Sequence, residues 1–458
     1  MSTPPLASGP QGTQHLRPLL DTVLDALRTG TRARGGPLPA GGPATVTARI
    51  RDALDDVLPD RGDPDALRTL VHAIAEGAAD PAHPLCTAHL HCPPLAVAAA
   101  ADLAASVLNP SLDSWDQAPA ASALEALLTR ALARETGHAD SLVTTGGTES
   151  NQLALLLARE AHGGSVRLVH GANAHHSLPR AAWLLGLPEP VVVPAPAGTL
   201  DPVALDDALT HLPGPRGSLV VAATAGTTDA GLIDPLPEIA ARCATHGARL
   251  HVDAAYGGAL LFSDRHRPRL TGLDAAHTVT LDLHKLGWQP VPAGLLTVRD
   301  ARDLTALHHR ADYLNADDDT DAGLPDLLGR SLRTTRRPDV LKLAVTLRTL
   351  GRTGLGALVD QVCAHAREFA RLVHDDPRFD LHDRPAISTV LFRPAHATDT
   401  AVAAVRRHLL TTGRAALGRA RAGGRLWLKA TLLNPATRPG DLAALLTLVH
   451  DTHAEGHR

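Results

Sequence analysis

A chain of 458 residues can bury a large hydrophobic core, and its length predicts two or three domains. Its formal net charge of -4 gives no electrostatic case for nucleic acid or an anionic membrane, and an aromatic content of 2% argues against base-stacking platforms. No apolar run reaches the ~18 residues of a membrane span, and the Pro/Gly-rich N-terminus lacks the basic-then-apolar pattern of a secretion signal.

In chain order, helical spacing predicts helices over Leu16–Thr29, Ala44–Val57 and Pro64–Ala78, with Arg34–Pro43 as a flexible connection. Asp80–Pro94 reads as a loop. Helices follow over Leu95–Val107 and from the Ser114–Ser122 stretch to Glu135. From Ser141 the pattern changes to strands alternating with helices, which predicts a parallel sheet with crossovers. Its strands are expected at Leu142–Thr145, Val166–His170, Leu219–Ala223, Arg249–Val252, Thr278–Leu281 and Gly294–Val298. Helices are expected between them at Gln152–Ala161, Ala174–Leu185, Pro202–Leu212 and Leu236–His246. Two helices, Asp339–Leu350 and Leu355–His374, lead into a C-terminal α+β region. There, strands lie near Ser388–Phe392 and Leu426–Leu432, with helices at Thr398–Thr411 and Pro439–Ala454. The sequence shows no internal repeat.

Cys86, Cys92, Cys243 and Cys363 match no zinc spacing and read as reduced thiols of a cytoplasmic protein. The 26 histidines include no His-Glu-x-x-His pattern, so no metal is expected. Chemistry is instead predicted at strand ends. Lys285 follows His284 after the apolar run Val279–Leu283, in a chain where arginine supplies nearly all the positive charge. A lone lysine among His, Gly and Trp is a candidate Schiff-base nucleophile or a plain surface residue. Asp253 ends an earlier apolar run and precedes the small residues Ala254-Ala255. An aspartate and a lysine so placed suit pyridoxal phosphate. The amine can condense with the aldehyde, and the carboxylate can keep the pyridine nitrogen protonated. Gly146-Gly147-Thr148 lies between a strand and a helix, where glycine allows close approach and a helix N-terminus offers amides to a phosphate. Asn173 reads as a helix N-cap before Ala174-His175-His176.

With these residues, the chain from about His83 to Leu448 resembles the fold-type I, group II pyridoxal-phosphate decarboxylases of amino acids. The resemblance implies an α/β fold. A large cofactor domain, about 131–350, has a mostly parallel seven-stranded sheet flanked by helices. A helical segment, 1–130, precedes it, and a small α+β domain, 351–458, follows. It implies pyridoxal 5'-phosphate on Lys285, with Asp253 at the ring nitrogen. The phosphate would lie near Gly147, Thr148 and His284, with His175 flat on the ring. Thr228, or less favourably Thr227, would lie near the phenolic oxygen. It further implies a homodimer with shared sites, with Ser122 reaching in from the second subunit and His89 in the loop at the pocket entrance.

Several stretches resemble the branch acting on diaminobutyrate, lysine or ornithine: His89–Pro93, Asp113–Gln117, Ala311–Gly323, Ser331–Arg337 and Leu432–Pro435. The aspartates at 317, 318, 319 and 321 could attract a distal ammonium or simply face solvent. The implied activity is decarboxylation of a basic amino acid to a diamine, with His175 a candidate proton donor. One departure bears on the outcome. The aromatic-acid branch protonates from a loop tyrosine, and no tyrosine lies between Asn315 and Arg337. Decarboxylation of an aromatic or acidic amino acid, oxidative deamination to an aldehyde, transamination, and cofactor binding without turnover therefore remain alternatives.

Overall fold

The computed structural model describes residues 4–309, 311, 313, 314 and 316–456. Asp312 and Asn315, in the stretch read above for substrate preference, lie outside the described residues. The chain divides into two compact units. One comprises the residues up to Pro93, His365–Arg384 and the chain from Thr389 onward. The other comprises Pro94–Ala364 and Pro385–Ser388.

The second unit is built on seven strands: β1 (Asp140–Thr144), β2 (Arg167–Gly171), β3 (Val191–Val193), β4 (Leu219–Thr224), β5 (Arg249–Ala254), β6 (Thr278–Asp282) and β7 (Gly294–Val298). Their spatial order is β1-β7-β6-β5-β4-β2-β3. Strands β2 to β6 pair parallel, and β7 runs antiparallel to both β6 and β1. Every residue of β4, β6 and β7 is buried. That continuous burial is the mark of a sheet covered on both faces, and it explains the short stretches rich in Val and Leu in the sequence. The covering helices include Gly147–His162, Ser177–Leu184, Pro202–His211 and Leu236–His246.

Crossover helices return the chain to one end of the sheet, so the carboxyl ends of the parallel strands share an edge. The antiparallel β7 joins β1 to that edge, because its first residue, Gly294, pairs with Thr144 of β1 and with Asp282 of β6. The register also sets Thr224 beside Asp253 and Asp253 beside Thr280.

One expected element differs. The helix expected over Ala174–Leu185 begins only at Ser177, because Asn173 does not cap it. Its side chain instead donates to Asp234 Oδ1 at 2.7 Å and to the Gly198 carbonyl at 3.2 Å. The two helices expected at Asp339–Leu350 and Leu355–His374 lie within the helical stretch Val340–Asp375, separated by a kink at Gly351, whose φ of 65° a glycine adopts readily.

The first unit carries an antiparallel four-stranded sheet of β8 (Phe379–Leu381), β9 (Thr389–Pro394), β10 (Gly418–Ala422) and β11 (Arg425–Thr431), in the order β10-β11-β9-β8. Phe369, Phe392, Leu428 and Leu445 are fully buried in its core. The N-terminal helices Gly12–Arg34, Gly42–Leu54 and Ala66–Gly77 belong to the same unit. Among the described residues no helix is long and apolar enough to cross a membrane, and no cluster of His, Cys, Asp or Glu could hold a metal ion.

Candidate active site

Strand β6 passes directly into the short helix Leu283–Leu286, which presents His284 and Lys285 at the sheet edge. Lys285 Nζ lies 3.0 Å from Asp282 Oδ2, and His284 Nε2 lies 3.4 Å from the same oxygen. Asp282 is 5% exposed, and its other oxygen, Oδ1, has no hydrogen-bond partner among the described residues. The His284 Nδ1 accepts from the Ala293 amide at 3.2 Å, which leaves the ring proton on Nε2, facing Asp282. Burial lowers the His284 pKa, with Asp282 opposing and Lys285 adding to the shift. Lys342 contrasts with Lys285: it is fully buried and paired with Asp339 at 3.0 Å and Asp102 at 3.2 Å.

The turn after β1 closes over this corner. Gly146 has φ 148° and opens the helix Gly147–His162 with no side-chain cap. A Cβ on Gly146 would stand 2.9 Å from His284 Cε1. One on Gly147 would stand 3.1 Å from Ala255 Cβ and 3.3 Å from Asp282 Oδ2. Glycine is needed here so that a backbone turn can lie against β5 and β6. The Glu149 carboxylate braces the turn, accepting from the Thr145 hydroxyl at 2.7 Å and from Arg333 Nε at 3.2 Å. Thr148 is exposed on the first turn.

Asp253 is 5% exposed at the end of β5. Its Oδ1 accepts from the Ala255 amide at 3.1 Å and its Oδ2 from Asn151 Nδ2 at 2.8 Å. Asn151 also donates to Ser177 Oγ at 2.9 Å, and Ser177 Oγ lies 2.8 Å from His175 Nδ1. His175 is half-buried, its ring centroid 4.1 Å from that of His176. Burial lowers its pKa, and Asp253 partly offsets this. The preceding loop is pinned to β4 by the buried Asp234, which accepts from Asn173 at 2.7 Å, the Leu200 amide at 2.8 Å and the Thr224 amide at 2.7 Å.

The edge therefore gathers Lys285, His284, Asp253, His175 and the Gly146-Gly147 turn. Thr227 is buried in the loop after β4, its Oγ1 accepting from the Leu232 amide at 3.0 Å, while Thr228 beside it is exposed. Ser122 is buried in the helix Pro119–Glu135 and donates to the Pro119 carbonyl at 2.9 Å. His89 belongs to the first unit, where burial, then Lys429 and Arg406, lower its pKa. Helix Asp317–Asp321 is exposed throughout. No sequence signal singles out Asn151, His251, Thr280 or Ser177. Each looks like an ordinary polar residue inside a helix or strand pattern, and only the fold brings them to Asp253.

This edge supplies a primary amine, a buried acceptor carboxylate and a glycine turn at an uncapped helix N-terminus. Those groups fit pyridoxal phosphate, whose aldehyde, ring nitrogen and phosphate need each of them in turn. The negative charge of Asp282 beside the glycine turn is met by Lys285 and His284, so it does not oppose the fit.

The fold and its edge define a pyridoxal-phosphate-dependent amino acid decarboxylase, a carboxy-lyase. The chain belongs to that family: the model of the pyridoxal-dependent decarboxylase conserved domain matches residues 49–395. The chain is 42% identical over 403 residues to an L-2,4-diaminobutyrate decarboxylase of Rhizobium meliloti (strain 1021), covering 84% of this chain and 80% of the relative. It is 33% identical over 405 residues to an L-2,4-diaminobutyrate decarboxylase of Acinetobacter baumannii, covering 80% and 79%. A solved structure described as the glutamate decarboxylase domain of diaminobutyrate-pyruvate transaminase and L-2,4-diaminobutyrate decarboxylase from Vibrio parahaemolyticus superposes with a TM-score of 0.85 at 30% identity. That match covers 98% of each chain.

Proposed function

We propose that the protein removes carbon dioxide from an L-diamino acid, with L-2,4-diaminobutyrate the first candidate, and releases the diamine. The observation that carries the substrate is the likeness, at 42% and 33% identity over most of the chain, to two L-2,4-diaminobutyrate decarboxylases. The site roles rest on the strand-edge geometry. Bound pyridoxal phosphate supplies an aldehyde for amine exchange and an electron sink for the carbanion left when carbon dioxide departs.

Lys285 is the amine that holds the aldehyde, and Asp282, 3.0 Å away, keeps it at the edge. Asp253 holds a proton at the ring nitrogen. The Gly147 and Thr148 amides with His284 receive the phosphate, and Thr228 serves the phenolic oxygen. His175 covers the ring, and its Nε2 proton is placed to bond the substrate carboxylate or to reach the α-carbon. Ser122 completes the substrate site in a homodimer, and the enzyme works in the cytoplasm, where its cysteines persist as thiols.

Borohydride reduction of the cofactor-loaded protein, with peptide mapping, should label the peptide holding His284-Lys285. Label at Lys342 or Lys429 would remove Lys285 from its role. A panel of diaminobutyrate, ornithine, lysine, glutamate and tyrosine, read for carbon dioxide and peroxide, should give the highest specificity constant for diaminobutyrate without peroxide. Best turnover of glutamate or tyrosine overturns the substrate, and stoichiometric peroxide overturns simple decarboxylation.

A further inference from the structure

Asn151 sits in the first turns of the helix Gly147–His162, wholly buried beneath the sheet edge, and all of its hydrogen-bonding capacity is used. Its Oδ1 accepts from Thr280 Oγ1 at 2.9 Å and faces His251 Nε2 at 3.0 Å. Its Nδ2 gives one hydrogen to Asp253 Oδ2 at 2.8 Å and the other to Ser177 Oγ at 2.9 Å. The directions are fixed at both ends. An ionised carboxylate only accepts, so the amide nitrogen must face Asp253. His251 Nδ1 pairs with Thr278 Oγ1 at 2.9 Å, so its Nε2 is free to donate to Asn151.

Ser177 Oγ, having accepted from Asn151, has one hydrogen to give, and His175 Nδ1 stands 2.8 Å away. The Ser177 backbone amide points at the same nitrogen from 3.3 Å. Two donors aimed at Nδ1 leave the imidazole proton on Nε2.

We propose that Asn151 is a positioning residue that orients the Asp253 carboxylate and, through Ser177, fixes His175 as the neutral Nε2–H tautomer. The inference deepens the reading above and rests on it for the cofactor contacts of Asp253 and His175. One buried amide thus serves both groups. The carboxylate has one oxygen held by Asn151 and the other by the Ala255 amide, which sets its plane. The imidazole presents a donor, not an acceptor, on its outer side. Other groups also act on His175: Asp253 and Asp282 favour its protonation, while His176, Lys285 and burial oppose it.

The test is the isosteric variant N151D together with S177A, each checked for folding by circular dichroism. In N151D the new carboxylate has no hydrogen for Ser177. The serine turns its own hydrogen back, becomes an acceptor, and His175 Nδ1 must donate. Acylation of His175 by diethyl pyrocarbonate, followed against pH by peptide mass mapping on the full chain without cofactor, reads its titration directly. The midpoint should rise by about one unit in N151D. It should rise in S177A as well, where one donor to Nδ1 is lost.

Affinity for pyridoxal phosphate by equilibrium dialysis should fall about tenfold or more in N151D. In S177A it should stay near wild type, because the bond from Asn151 to Asp253 remains. The carboxylate introduced in N151D raises the midpoint by its charge alone, so S177A, which adds no charge, is the discriminating variant: a residue that only packs the helix would leave its His175 midpoint in place. An unmoved midpoint in either folded variant overturns the relay. Failure of the decarboxylase reading shows separately, as no carbon dioxide from any amino acid with the loaded wild type, and leaves the titration result standing.

Discussion

At the scale of single residues, the sharpest consequence falls on Asp253. Both of its oxygens already accept one protein hydrogen bond, from Ala255 and Asn151. An amide in its place would turn an NH2 toward one of those donors and remove the anion that keeps the ring nitrogen protonated. D253N should therefore lower turnover at least ~100-fold, a loss of about 2.7 kcal/mol in transition-state stabilisation. Cofactor affinity should change less, because the amine and phosphate contacts remain. Steady-state kinetics beside a cofactor titration measure both, and near wild-type turnover would move the nitrogen partner elsewhere. Lys285 and Asp253 could be picked out as candidates because each follows an apolar run, while His175 was marked only by the resemblance to the decarboxylase family. Asn151 could not: it lies 102 positions from Asp253 in the chain and joins it only through the fold. Nothing within its own helix pattern marks it.

At the scale of elements, the strands β2, β4, β5, β6 and β7 were readable because burial on both faces makes each a short stretch rich in Leu, Val and Ala between turn signals. Strands β3 and β8 were not, since three residues give no periodicity, and β10 alternates arginine and small residues without an apolar run. The start of the helix at Ser177 was also hidden. Asn173 has the look of a cap, but its partner Asp234 is 61 positions away. A tight junction between elements lies at Gly294, where a Cβ would stand 2.5 Å from both the Cα and the N of Gly146. Those are backbone atoms of the glycine turn and cannot swing aside. G294A should cost about 3 kcal/mol in urea denaturation and weaken pyridoxal phosphate binding, because relief requires the turn to move. Gly164, where a Cβ meets nothing within 4 Å, is the control, and G164A should change neither quantity. A stable, fully loading G294A would show that the turn has room to shift.

At the scale of the molecule, the abundance of histidine reads as a question of stability more than of metal. His138 is 4% exposed and lies 2.8 Å from Thr297 Oγ1, and burial holds its pKa down at about 4. His277, whose Nδ1 accepts from the Leu250 amide at 3.0 Å, is held at about 3 by burial and then by Arg299 and Arg249. His251 is lowered by burial as well. In each case the folded value lies below the 6.5 of an unperturbed histidine, so the unfolded chain binds protons first as pH falls. The stability these neutral rings contribute is complete above pH ~6.5 and drains away toward pH ~4, at up to about 1.4 kcal/mol per pH unit for each histidine. Carboxylates paired with arginine act lower down, whereas burial raises the pKa of Asp234, whose titration works the opposite way and adds stability as pH falls. Burial would raise the Glu135 pKa, but Arg352 and Arg267 outweigh it and hold it below 4.5, so its contribution is lost only below that pH. The loss of stability as pH falls from about 6.5 to 4.5 therefore reports the histidines. Urea midpoints followed by circular dichroism should fall steadily across it in the wild type. H138N should show a shallower slope, because the unfolded state of that variant has one proton fewer to gain. A wild-type midpoint that is flat from pH 7.5 to 5 would mean that these rings are already protonated in the fold, and the buried sites would then have to solvate the charge.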